Sequence, residues 1–210
     1  MVYQDYKEQL YNYIQLGCED GLIRLSAGNF SLRINDDLVA ITPSGILYRS
    51  MKVEDISIVD LDGNQVEGPV PSSETPMHSA IYRNIPRAKS ICHTHSMYAM
   101  VFAQLGEDIP LISIELLVCG GPIPVATWAT PGTNQAGKVA VNIFKSREKL
   151  QVLLLRQHGL VAIGSSLDQA YNLATNAEIG MEVYFKASLL GKPQPFSSAQ
   201  LNEIHEVYGV

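Results

Sequence analysis

Cysteine is scarce in this chain: Cys18, Cys92 and Cys119 are the only three, and they share no paired spacing. An odd, scattered set argues against a disulfide framework and for reduced thiols in a cytoplasmic protein. Long apolar runs are missing too. No uninterrupted stretch approaches the ~20 residues that a membrane-spanning helix needs. The opening MVYQDYKEQLYNYI carries charges and tyrosines where a signal peptide has an apolar centre. Lys and Arg form no run, and the formal net charge is −6. That balance speaks against nucleic acid as a partner, because backbone binding needs grouped cations. Repeats and low-complexity segments are also lacking. These absences leave a soluble cytoplasmic protein, with neither a membrane nor a nucleic acid to bind.

What is present is a chain of 210 residues, 46% hydrophobic and 17% charged. That suffices for a substantial core, and no linker divides it, so one domain over residues 1–210 is expected. Tyr3, Tyr6, Leu10, Tyr13 and Ile14 recur at helical spacing over residues 3–17. A hairpin follows, with alternating Leu32 and Ile34, a turn at Asn35–Asp37, and a second strand over Leu38–Thr42. Further strands read at Ile56–Leu61, Ser90–His93, Ile123–Ala126, Val152–Leu155 and Leu160–Ile163. Helices read at Thr75–Ile85 (capped by the Ser72–Glu74 region), Met97–Leu105, Gln135–Phe144, Leu167–Leu190 and Ala199–Tyr208. The run Ile109–Val118 is apolar apart from Glu115. The irregular alternation predicts an α/β layered domain, a mixed sheet covered by helices.

The chemistry gathers around SICHTHS, Ser90–Ser96. On a strand, residues two apart share a face, so His93 and His95 can point to one place. They could be ordinary strand histidines, or the start of a Zn²⁺ or similar site that needs ligands from elsewhere. The chain has only five histidines, and His158 again stands where a buried strand ends, in LLLRQHGL. Glu74 precedes a helix. Three His and one Glu make a plausible shell for a catalytic divalent ion, with the Glu able to leave and act as a base.

Three short segments are rich in Ser, Gly, Asn and Pro: Ser26–Ser31, Thr42–Gly45 and Pro71–Ser73. Each alone reads first as a turn. Together, beside strand or helix ends and with one directly before Glu74, they suggest a phosphate cradle of backbone N–H groups and hydroxyls.

GNFS (28–31), TPSG (42–45), SSE (72–74), HTH (93–95), ATPGT (129–133) and QHGL (157–160) occur in the order found in the class II aldolase/adducin-head family. From its first helix to its end the chain resembles that family's aldolase branch. The resemblance implies a three-layer α/β/α sandwich on a mostly antiparallel, nine-stranded sheet, and a C4 homotetramer with the active site between subunits. It implies one divalent metal per subunit, foremost Zn²⁺ with Mn²⁺ or Co²⁺ as alternatives, held by His93, His95 and His158. Glu74 is then a ligand of the empty site and the base during turnover. Ser26, Gly28, Asn29, Ser44, Gly45, Ser72 and Ser73 become the phosphate pocket, Ser26 and Ser44 standing where the family has Thr. The implied reaction splits a ketose 1-phosphate of the L-fuculose 1-phosphate kind, through a metal-stabilised enediolate, into dihydroxyacetone phosphate and an aldehyde. Tyr208-Gly209 matches a Tyr-Gly of a tail that closes over substrate.

One departure is evident. The tyrosine that donates a proton across the aldolase interface falls on Ile114. The adjacent Glu115 matches a catalytic glutamate of a sister family, the methylthioribulose-1-phosphate dehydratases. Glu115 is thus either catalytic or a carboxylate paired with an Arg at the interface. A dehydratase-like lyase, or another sugar-phosphate aldolase or epimerase, is the alternative reading. The adducin head carries the fold without known aldolase activity, but the four metal residues are all present here.

Overall fold

A computed structural model describes residues 2–208. Its centre is an eight-stranded sheet in the order β4-β3-β2-β1-β5-β8-β7-β6. The strands are β1 Asn29–Arg33, β2 Leu38–Ile41, β3 Ser57–Asp60, β4 Gln65–Glu67, β5 Ser90–Thr94, β6 Val125–Ala126, β7 Val152–Leu155 and β8 Leu160–Gly164. Every neighbouring pair is antiparallel except β6 with β7, at the edge. The resemblance implies nine strands and eight are found among the described residues. Ile109 and Ile123 pair only as a single bridge.

Alternation along the strands explains the layers. Phe30, Leu32, Ala40, Ile58, Cys92, Leu154 and Ala162 enter one core, while Val39, Ile41, Val59, Ile91, Leu153 and Ile163 enter another. Each face is therefore apolar, as a sheet covered on both sides requires. The first core is closed by α1 Gln4–Glu19, α3 Met97–Leu105, α4 Ile114–Leu117 and the long α6 Leu167–Leu190. The second is closed by α2 Thr75–Asn84 and α5 Asn134–Ser146, which pack on each other. This is a three-layer α/β/α sandwich. A last helix, α7 Ser198–Tyr208, follows a loop whose Phe196 N–H donates to the Leu111 carbonyl.

Two local expectations change. β4 is exposed at every residue, so Gln65–Glu67 carries no apolar alternation to betray it. The apolar run Ile109–Val118 contains a short helix, α4, with only Leu116 fully buried. The hairpin turn is as expected: the Asn35 side chain accepts from the N–H groups of Asp37 and Leu38. No helix among the described residues is long and apolar enough to cross a membrane.

β5 occupies the middle of the sheet, between β1 and β8. Its last residues thus meet the start of β1 and the β7–β8 turn at one end of the sheet. In register, His93 stands opposite Asn29 on one side and Val161 on the other. The exit from β5 is pinned by an acid distant in sequence. Glu178 of α6 accepts from Ser96 Oγ (2.7 Å), Tyr98 N–H (2.7 Å) and Ala99 N–H (2.9 Å). It thereby caps α3, whose own N-cap side chain, Ser96, makes no capping bond.

Candidate metal and substrate site

The strand spacing brings His93 and His95 onto one face, with their Nε2 atoms 3.1 Å apart. His93 is fully buried, and its Nδ1 donates to the Leu160 carbonyl at 2.8 Å. This bond turns Nε2 toward the Glu74 carboxylate, 2.8 Å away. His158 arrives from the β7–β8 turn, with Nε2 3.5 Å from Glu74 Oε1. The three imidazole centroids are 4.7 to 4.9 Å apart, each pair edge to face. One donor atom from each of Glu74, His93, His95 and His158 lies within 4.8 Å of the other three.

Gly159 makes this convergence possible. A Cβ there would lie 2.3 Å from the Thr94 carbonyl oxygen and 3.2 Å from the His95 ring. Only a residue without a side chain lets the turn settle onto the end of β5. Gln157, in the same turn, takes the left-handed conformation at φ 55°.

Glu74 is the N-cap residue of α2, yet its side chain makes no capping bond. The carboxylate turns instead toward His93 and Asn29, whose Nδ2 donates to Oε2 at 2.9 Å. Ser72 Oγ accepts from the Glu74 N–H at 3.2 Å. Oε1 is buried and has no hydrogen-bond partner. A buried anionic oxygen left so is costly, and a cation between it and the imidazoles satisfies it. Three imidazole nitrogens and one carboxylate oxygen are a donor set suited to Zn²⁺ and related ions. The residues fit a metal.

The protonation states of two of the three histidines agree. Burial, then the neighbouring His93 charge, push His95 down to about 3 and His158 to about 4. Both are neutral near pH 7 and keep their lone pairs. Burial opposes ionisation of Glu74, but His93, His158 and Asn29 outweigh it and hold the carboxyl well below its usual range. Burial likewise opposes charge on His93, and there the Glu74 carboxylate prevails and raises it.

A cavity of about 340 Å³ opens beside the cluster. Glu74, His95 and His158 form one wall. Ser26, Gly28, Asn29, Ser44, Gly45, Ser72 and Ser73 form the rest, with Pro43, Tyr48 and Pro131. All seven residues assigned to phosphate by sequence therefore border one space. No lysine or arginine lines it. Gly28 has φ +82°, and a Cβ there would lie 2.8 Å from the His93 carbonyl oxygen, so the first loop presses directly against β5. Tyr48 supports it by donating to the Gly28 carbonyl at 2.6 Å.

The two remaining candidates lie elsewhere. Glu115, on α4, is half-buried and does not line the cavity; α4 packs against α6. Tyr208 ends α7, and its side chain, like Gly209, lies outside the described residues. Sequence reasoning missed His78, Ser31 and Tyr82, buried behind Asn29. Their signal was a polar residue on the core-facing side of α2, one turn after Glu74. It missed Glu178 as well, whose partners are some 80 positions away.

The fold and site together define an α/β protein that sets a three-histidine, one-glutamate cluster able to hold a metal against a polar cavity without lysine or arginine. Comparison places it among known proteins. The family described as class II aldolase and adducin N-terminal domain matches residues 8–185. The 5-deoxy-D-ribulose 1-phosphate aldolase of Bacillus thuringiensis serovar kurstaki is 33% identical over 196 residues, 92% of this chain and 91% of its own length. The L-fuculose phosphate aldolase of Escherichia coli K12 is 33% identical over 195 residues, 90% and 89% of the two chains. A solved L-fuculose 1-phosphate aldolase superposes with a TM-score of 0.89 at 33% identity, covering 98% of this chain and 97% of its own. The chain belongs to the class II aldolase family.

Two outcomes follow from the site. His78, His95 and His158 fall from an ordinary 6.5 to about 3, 3 and 4 on folding. Between those values the unfolded chain binds protons that the folded one refuses. Their stabilisation is therefore complete above about pH 6.5 and declines as pH falls toward 4. His93, shifted upward, reaches its full contribution below 6.5 and opposes the decline of the three others only in part. Calorimetry of the metal-stripped protein should show a lower Tm at pH 5 than at pH 7, by more than the ~2–4 °C equivalent to 1 kcal/mol in a chain this size. An equal Tm at both values contradicts these protonation states. Separately, His95→Ala should fold normally and lose most of its bound metal. Full occupancy of that variant by elemental analysis rules His95 out as a ligand.

Proposed function

We propose that this class II aldolase-family enzyme cleaves a ketose 1-phosphate between C3 and C4, giving dihydroxyacetone phosphate and an aldehyde. The observation that carries the reading is the shared cavity, in which the Glu/His cluster and the three small-residue loops face the same space. The relatives named as L-fuculose phosphate and 5-deoxyribulose 1-phosphate aldolases indicate the substrate class.

The loops bind the phosphate through Ser hydroxyls and backbone N–H groups. The N-terminal end of α2 adds to this. Anchored there, the sugar phosphate places its reacting carbons beside Glu74, which directly follows Ser72 and Ser73. A divalent cation at the cluster, Zn²⁺ in this reading, supplies Lewis-acid stabilisation of the charge left on the ketose half. Glu74 takes the proton from the C4 hydroxyl as the C3–C4 bond breaks and, now protonated, returns it at C3. Its Oε1, the oxygen that would face a cation in the empty site, becomes available for this once bound sugar has displaced it.

The proposal extends to a C4 tetramer in which Glu115 and Tyr208 serve the cavity of a neighbouring copy. Supporting this, Glu115 lies outside its own cavity, while Ile114 and Val118 beside it are exposed apolar residues. Glu115 then takes the place of the interfacial tyrosine.

Incubation with a panel of ketose 1-phosphates should release dihydroxyacetone phosphate, detected by coupled reduction. Loss of water with the carbon chain intact would identify a dehydratase instead. In the same assay Glu74→Gln should keep most of its metal, since three histidines remain, and lower kcat by ~10²–10⁴ as for a lost general base. A near-normal kcat would place the base elsewhere, with Glu115 the next to test.

A further inference from the structure

Behind Glu74 runs a chain of buried hydrogen bonds that cleavage, as described, leaves without a task. Asn29 and Ser31, two apart on β1, face α2 together. His78 and Tyr82, four apart, share the sheet-facing side of α2. His78 Nε2 lies 2.6 Å from Asn29 Oδ1, and its Nδ1 lies 2.6 Å from Ser31 Oγ. Ser31 Oγ is 2.8 Å from the Tyr82 hydroxyl. All four residues are buried, and Asn29 Nδ2 donates onward to Glu74 Oε2.

The carboxylate dictates the direction of every link. It can only accept, so Asn29 must turn its NH₂ toward Glu74 and its carbonyl toward His78. A carbonyl also only accepts, so His78 Nε2 carries a hydrogen whatever the charge on the ring. Both ring nitrogens face neutral partners, Asn29 and Ser31, in a buried site that favours the neutral ring. Nδ1 therefore offers a lone pair. Ser31 gives that lone pair its one hydrogen and accepts from Tyr82. The chain runs one way, from Tyr82 through Ser31, His78 and Asn29 to Glu74.

We propose that His78 is a positioning residue: its Nε2–H tautomer locks the Asn29 amide so that Glu74 is gripped at Oε2 and presents Oε1 to the reacting groups. The opposite tautomer would leave Asn29 facing a lone pair. Its amide would then be free to flip and set carbonyl against carboxylate. The effect of His78 is thus on the base rather than on substrate affinity. The inference rests on the reading of Glu74 as the base.

Long-range ¹H–¹⁵N correlation spectra of the ¹⁵N-labelled protein, metal-stripped and zinc-loaded, assign the tautomer directly. The expected result is Nε2–H at His78 in both; Nδ1–H in either would overturn the proposal. In kinetic assays His78→Phe should lower kcat by about tenfold or more, with KM changed less than about twofold. His78→Gln, whose amide keeps a donor toward Asn29, should recover most of the loss. A His78→Phe enzyme with kcat within about twofold of the parent, or a His78→Gln enzyme equally impaired, refutes positioning. The tautomer measurement uses the unaltered protein and stays decisive if His78→Phe does not fold. Normal His78 variants beside an inactive Glu74→Gln refute positioning alone, whereas an active Glu74→Gln refutes the base.

Discussion

The carboxylate of Glu74 is an ion set almost beyond the reach of water, and the surrounding structure supplies what water no longer does. Oε2 receives His93 at 2.8 Å and Asn29 at 2.9 Å, while Oε1 stays open toward His158. Removing one partner of a buried ion pair typically costs about 3–5 kcal/mol, so each neighbour must be held firmly. Much of the surrounding architecture follows from that demand. The register of β1 on β5 sets Asn29 beside His93. Leu160 of β8 orients the His93 ring, and Gly159 lets His158 close the ring of donors. Glu178 fixes the chain where it leaves β5.

The same ion explains the composition of the cavity. In the proposed reading the cavity holds a phosphate without lysine or arginine, which is unusual only if charge is thought to be the sole means of holding an anion. Here an arginine within reach of Ser73 would also be near Glu74. It would pair with that carboxylate and occupy the oxygen that the proposed reaction uses. Hydroxyls, backbone N–H groups and the end of a helix bind an anion without that competition. The cavity thus keeps its one fixed carboxylate unpaired on the reacting side.

Much of this was legible in the sequence because it is carried by short-range pattern. Period two in SICHTH placed His93 and His95 on one face, and apolar runs such as VLLL and LVAIG gave strands that are buried on both sides. The order of small motifs gave the cavity wall. What escaped was of two kinds. β4 and α4 bury little, so no apolar rhythm marks Gln65–Glu67 or Ile114–Leu117. Glu178 and His78 act through partners far away in sequence, and a single acid or histidine on a helix looks the same whether it caps a distant helix or faces solvent. Their roles exist only once β1, α2, β5 and α6 are assembled.

That dependence on assembly gives Gly159 a significance for how the chain reaches its native state. Because the β7–β8 turn lies hard against the end of β5, His158 can join His93 and His95 only after β8 has zipped onto β5. Asn29 and Glu74 complete the site from the other side. The complete donor set is therefore a product of long-range closure, among the slowest kinds of contact to form. An ion that binds all four ligands selects molecules whose central sheet is finished, and its affinity adds to their stability by mass action. The four donors thus converge only in a finished sheet.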